Sequence, residues 1–248
     1  MDKTTPIPPQ TSTTAISDIE ELTITLAIRN FNPTLLSYEL LTMSGIVPTT
    51  WELANQPVVN PRISQVSFKN GVNIVAQGNT ISFLEAVANK PLGQLQFAQV
   101  ALQYIDKMSN AEYQAISFTP RLVIPLSAVD EDAGKDFINQ TFLNTGPWQH
   151  FGHTTPQTAL SLFYELDNCR FSLNINPARL QQPDNSFVSA VLFVGSFNYP
   201  LPSNTSDILS QLRLCVNSWP QDLHTFHDFV YQKILQRAIP PRETLFNL

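Results

Sequence analysis

Four histidines, two cysteines and one acidic run are the side chains with chemistry to offer. His224 and His227 stand three apart in a stretch of helical periodicity. They would share one helix face and, with Asp222 or Asp228, make a candidate metal-ligand set. The competing reading makes them polar surface positions beside the apolar stripe Leu223, Phe226 and Val230, and on that reading no metal is assigned. His150 and His153 form a second HxxH pair around Phe151-Gly152, just after Trp148. An aromatic, histidine-bearing loop suits a pocket wall, which combines apolar surface with a few polar groups. Trp148, His150 and His153 are therefore the candidate ligand-binding residues.

Cys169 and Cys215 lie far apart and outside any CxxC pair, so they read as reduced core residues. A nucleophilic cysteine needs a neighbour that stabilises the thiolate, and Arg170 is the one adjacent hint. Asp130, Glu131, Asp132 and Asp136 lack the alternating ligands and central glycine of a calcium loop, and read as a solvated loop capping the next helix. The 8 glycines form no phosphate-binding loop, and GxSxG, HExxH and kinase signatures are missing. No catalytic residue and no cofactor is assigned, and the chain reads more as a binder than as an enzyme.

The elements that must position these residues follow from periodicity and turn chemistry. Leu22–Arg29 alternates as a strand, and Asn32-Pro33 opens a helical stretch over Leu35–Met43 that stops at Gly45. The Asn70-Gly71 and Gly78-Asn79 turns divide Ile63–Lys69, Val72–Gln77 and Thr80–Val87 into a meander, followed by a helix from Leu95 to Met108. The second half runs in similar order. Tyr113–Leu126 is a strand whose Pro120 and Pro125 suggest a bulge or an edge. Lys135–Leu143 is a helix, and Ala159–Leu166, Cys169–Ile175 and Phe187–Tyr199 are strands, the last two separated by a loop at Asn176–Asn185. Helices at Asp207–Val216 and Gln221–Arg237 end the pattern, broken at Trp219-Pro220.

Trp51 precedes the Asn70 turn by 19 residues, and Trp148 precedes the Asp167 turn by the same 19, an offset of 97 between halves. The offset allows an internal duplication, although the inward alternation of the two first strands does not match under it. The predicted class is α+β: a strand, helix, three-strand meander and helix unit, possible in two copies, forming one extended antiparallel sheet with helices on one face. By element order this plan resembles the duplicated saddle of the TATA-binding-protein fold, which implies a fold and no function. The halves would span residues 20–109 and 110–237, after a mobile Thr- and Pro-rich tail at 1–19 and before an extension at 238–248.

Leu102-Gln103-Tyr104-Ile105-Asp106-Lys107-Met108 is similar to a helix segment in a sporadically distributed family of uncharacterised bacterial proteins of about 250 residues. His227, Val230 and Ile234 fill the place of that family's C-terminal helix pattern. The resemblance implies a bacterial source and brings no activity and no catalytic residues.

Composition narrows the partners. The chain of 248 residues carries 14 basic and 20 acidic side chains, fewer together than its 37 amides, 19 Asn and 18 Gln. So few scattered cations argue against nucleic acid, whose phosphates demand clustered Lys and Arg. The longest apolar run, Ala190–Val194, is far short of a membrane span, and the N-terminus lacks the apolar core of a signal peptide. The expectation is a cytoplasmic, non-enzymatic binding, assembly or regulatory protein acting on a protein partner or as a homodimer. Amides supply hydrogen bonds without the cost of burying charge. Its contact surface is expected on the open sheet face or around Trp51 and Trp148; the alternative is a ligand or enzyme pocket at Trp148, His150 and His153.

Overall fold

The computed structural model describes residues 18–153, 156–201 and 205–240. Nine strands are present among them: β1 (Ile19–Ile28), β2 (Val58–Val59), β3 (Ile63–Ser67), β4 (Val72–Gln77), β5 (Thr80–Ala86), β6 (Tyr113–Ser127), β7 (Leu160–Glu165), β8 (Arg170–Gln181) and β9 (Phe187–Tyr199). They form one sheet in the order β2-β3-β4-β5-β1-β6-β9-β8-β7, and every neighbouring pair is antiparallel. Five helices accompany it: α1 (Tyr38–Met43), α2 (Phe97–Lys107), α3 (Ala133–Phe142), α4 (Thr205–Asn217) and α5 (Trp219–His227), the last continuing into π-helical turns over Asp228–Ile234. The class is α+β, as the sequence pattern implies.

Successive strand residues point to opposite faces, so antiparallel register lines up one side chain per strand in a row. Val66, Ile74, Phe83, Ile24, Phe118, Phe197 and Phe171 form such a row across seven adjacent strands, and Tyr164 extends it onto β7. The first seven are buried and Tyr164 is half-exposed. Helices cover this face. Tyr104 of α2 lies 5.4 Å from Phe83, Trp219 of α5 stands edge-on to Phe97 at 5.3 Å and tilted over Phe118, and Phe229 meets Phe171.

A buried carboxylate and a buried hydroxyl anchor two of the helices. Glu85 accepts hydrogen bonds from the backbone N–H groups of Gln96 and Phe97 at 2.6 and 3.0 Å, meeting donors that a helix start leaves unpaired. Lys90 pairs with the same carboxylate at 2.6 Å and also donates to the carbonyl of Asn70 in the first tight turn. At the sheet's far side, Ser189 of β9 accepts from the N–H of Gly134 and donates to the carbonyl of Glu131, holding the start of α3. The acidic loop itself makes no side-chain cap there, contrary to expectation; Glu131 and Asp132 pair with Arg179 and Lys135 instead.

Of the two readings of the β6 prolines, a bulge or an edge, the structure shows an irregularity and no edge. β6 is central, not an edge, and a register shift falls between Pro125 and Ser127. Pro120 faces β9 near Gly195, where a Cβ would come within 3.1 Å of the Pro120 ring and 2.8 Å of Phe226. The Pro120 ring lies against the space that the missing Gly195 side chain leaves. The segment Asn176–Asn185, expected as a loop, largely continues β8 to Gln181. β7 pairs with β8 only as far as Ile175, so Pro177 lacks an N–H only where no strand needs one. The helical stretch at Leu35–Met43 is a 3₁₀ turn, Pro33–Leu35, and then α1, restarted by Ser37, whose hydroxyl accepts from the N–H of Leu40.

Matching β3, β4, β5 and β1 with β7, β8, β9 and β6 makes the strand order read alike from both ends. The offset of 97 suits the first hairpin: the inward residues Val72, Ile74 and Ala76 of β4 fall at odd separations from Phe171, Leu173 and Ile175 of β8. It fails for the first strands, because the inward residues of β1 are even-numbered and so are those of β6 from Ile116 to Ile124. A single offset cannot superpose both pairs. Of the expected tail, Asp18 and Ile19 are ordered parts of the fold: Ile19 starts β1 and Asp18 accepts from Tyr231 and Arg237. Residues 1–17 lie outside the described residues. In the expected C-terminal extension Ile239 packs on the core, and 241–248 lie outside the description. No helix among the described residues is long and apolar enough to cross a membrane.

Phe118 is the row's centre and touches Phe97, Phe197 and Trp219. Phe118→Ala is expected to cost about 3–5 kcal/mol, read as a lowered urea midpoint with unchanged slope.

Candidate functional site

Three regions hold the molecule's unassigned chemistry: a buried cluster of ionisable groups, the histidine positions and the uncovered sheet face. The cluster forms where the end of β9 meets the α4–α5 junction. Tyr199 donates its phenolic hydrogen to Asp222, and the Ser218 hydroxyl lies 3.0 Å from the Tyr199 oxygen. Cys169 and Cys215 are buried close by, and a cavity of about 620 Å³ opens beside Cys169, Tyr199 and Leu201. Burial raises the Asp222 carboxyl above its ordinary range, against the hydrogen bonds from Tyr199 and Ser218. Burial also pushes both thiols up to about 11, and the Asp222 charge adds to it.

A thiol held that high stays protonated at neutral pH and is a poor nucleophile. Arg170 cannot help. It projects from the other face of β8, where it pairs with Glu165 at 3.2 Å. The cluster therefore joins helix to sheet and supplies no activated group.

The helical histidines are separated by their partners. His227 is buried with Nε2 2.6 Å from Glu20 Oε1, tying the end of α5 to the start of β1. His224 is exposed and lies 3.4 Å from Asp228, while Asp222 is engaged by Tyr199. Among the described residues no group of three His, Cys, Asp or Glu side chains is placed to hold a metal ion. Trp148 is 45% exposed in the 3₁₀ turn Pro147–His150, and His153 is exposed in the segment after it. The His150 side chain lies outside the described residues. Trp51 differs from Trp148: its ring stands edge-on to Phe68 at 5.2 Å, and its carbonyl accepts from Tyr38.

The uncovered face is the largest feature. The row beside the apolar one points the other way and reads Gln65, Val75, Ser82, Thr25, Ser117, Asn198, Arg170 and Glu165 across eight strands. Thr25 and Ser82 hydrogen-bond at 2.8 Å, and Ser161 and Asn174 at 2.6 Å. The cations of its middle and margin, Arg121 and Arg170, are matched by Glu21 and Glu165. The face is almost neutral and mixes amides and hydroxyls with half-buried apolar residues such as Val75, Leu84, Leu192 and Val194. Sequence composition hinted at it, but only pairing shows that these side chains share one surface.

Two measurements test the cluster. Asp222 holds its proton longer when folded, so its own contribution to stability should fall as pH rises from 3.8 through the raised value and then level off. Asp222→Asn should flatten that fall and match or exceed the wild type at neutral pH, seen as urea midpoints across pH. Raising the thiols from 9.0 to about 11 lowers their thiolate fraction roughly a hundredfold. Native protein should accordingly react with an aromatic disulfide reagent far more slowly than urea-unfolded chain. No protein-family model, curated protein or solved structure matches this chain.

Proposed function

We propose that this chain is a non-enzymatic binding or assembly protein acting through protein–protein contacts, with the uncovered sheet face as its contact surface. The observation that carries the reading is the neutral row Gln65, Val75, Ser82, Thr25, Ser117 and Asn198 on a face that no described helix covers. Such a surface offers donors and acceptors with little charge to desolvate, which suits a folded partner with a polar, uncharged surface. Nucleic acid would need unmatched cations, and Arg121 and Arg170 are paired. The protonated thiols and the dispersed histidines lend no support to catalysis. Free, buried Cys169 and Cys215 suit a reducing compartment, and the reading places the protein in the cytoplasm. The end-to-end likeness of the strand order supports two halves of common origin, which would give the face a pseudo-symmetric outline.

Ser117 sits at the centre of this face, and Gln99 is exposed on α2. Tagged wild-type chain from its native cells should recover a stoichiometric protein partner. Ser117→Arg should lose it, and Gln99→Arg should keep it. Equal recovery by both variants, or none by the wild type, counts against the reading.

A further inference from the structure

The two edges of the sheet are finished differently. At one end β2 has only two residues, lies between Pro57 and Pro61, and shares the outer side of β3 with Leu53, which bridges to Phe68. Short strands and prolines are how a sheet blunts an edge that would otherwise pair with another chain. At the other end β7 is six residues long and contains no proline, lysine or arginine. Its residue Phe163 is 79% exposed.

The hydrogen-bonding side of each β7 residue follows from the hairpin. Leu166 donates to the carbonyl of Cys169, so the N–H and C=O of even-numbered residues 160–166 turn toward β8. Those of Ser161, Phe163 and Glu165 turn outward. We propose that β7 pairs antiparallel with β7 of a second copy, centred on Phe163, joining two sheets into one.

The register is self-complementary. Phe163 meets Phe163 across the two-fold axis as a hydrogen-bonded pair, and Ser161 meets Glu165 on either side, giving about six inter-strand hydrogen bonds. No like charges meet, because each Glu165 faces a serine. On the helix side Leu162 stands opposite Tyr164 and extends the buried apolar row into the second copy. On the open face the two Phe163 rings cover each other. A heterologous partner strand would need no such symmetry, whereas a second copy does. The pairing lies three strands from Ser117, so its failure and that of the open-face reading are separable.

Light scattering on the full chain across a concentration series, with amide hydrogen exchange, tests the pairing. Wild type should reach twice the chain mass, with the Ser161, Phe163 and Glu165 amides protected more at high than at low concentration. Phe163→Lys alters an exposed side chain and places a charge on the edge. It should give the chain mass at the same concentrations, with an unchanged circular dichroism spectrum. A wild type that stays at chain mass overturns the proposal; with protected amides, it would mean that a segment of the same chain covers the edge. A dimer that survives Phe163→Lys, or whose three amides exchange freely, overturns it as well.

Discussion

β1 and β6 come from opposite halves of the chain and lie side by side over ten paired positions, Ile19 against Val123 through Ile28 against Tyr113. That register decides where every inward side chain falls. With Ile24 opposite both Phe83 and Phe118, apolar rows run unbroken from β3 to β8. A slip by one residue would turn Leu22, Ile24 and Leu26 toward solvent and bring Thr23 and Thr25 beneath the helices. The helices have one sheet face to cover because this pairing puts the large buried side chains of neighbouring strands on one side. The opposite face is left open, with hydroxyls and amides among half-buried apolar residues.

Polar groups buried at the seams then fix which helix sits where. Glu85 holds the start of α2, Ser189 the start of α3, Asp222 with Tyr199 the start of α5, and Glu20 with His227 its end. Each joins residues on different elements, and each would leave an unpaired buried group if its partner moved. Among the described residues no buried side-chain nitrogen or oxygen lacks a hydrogen-bond partner. Apolar burial supplies the driving force, and these contacts make one arrangement of helices preferable to its alternatives.

Local signals were readable in proportion to how locally they act. The turns at Asn70-Gly71 and Gly78-Asn79 fall between β3, β4 and β5, and both glycines adopt the positive φ that such turns require. Phe187–Tyr199 is a strand over its whole expected length. Pro120 lies beside Gly195 and Pro177 falls past the end of β7, and neither neighbour can be read from the residues around the proline. Among the candidate residues, Trp51 and Trp148 share a spacing to their turns but not an environment. Tyr199, which binds Asp222, had no signal in the sequence, since neither its neighbours nor its spacing marks it. Glu20 and His227 are separated by most of the chain, and nothing near either one announces the other.

The low charge and the abundance of Asn and Gln were set by the sequence alone, as were the strand alternation, the tight turns and the α+β class. These depend on residue type and on neighbours a few positions away. The tertiary structure decided which strands meet, that Thr25, Ser82, Ser117 and Asn198 gather on one neutral face, and that the thiols are buried beside a carboxyl. It also decided that one sheet edge is blunted and the other is not. Each of these is a relation between residues far apart in the chain, created only when the β1–β6 register and the covering helices are chosen together.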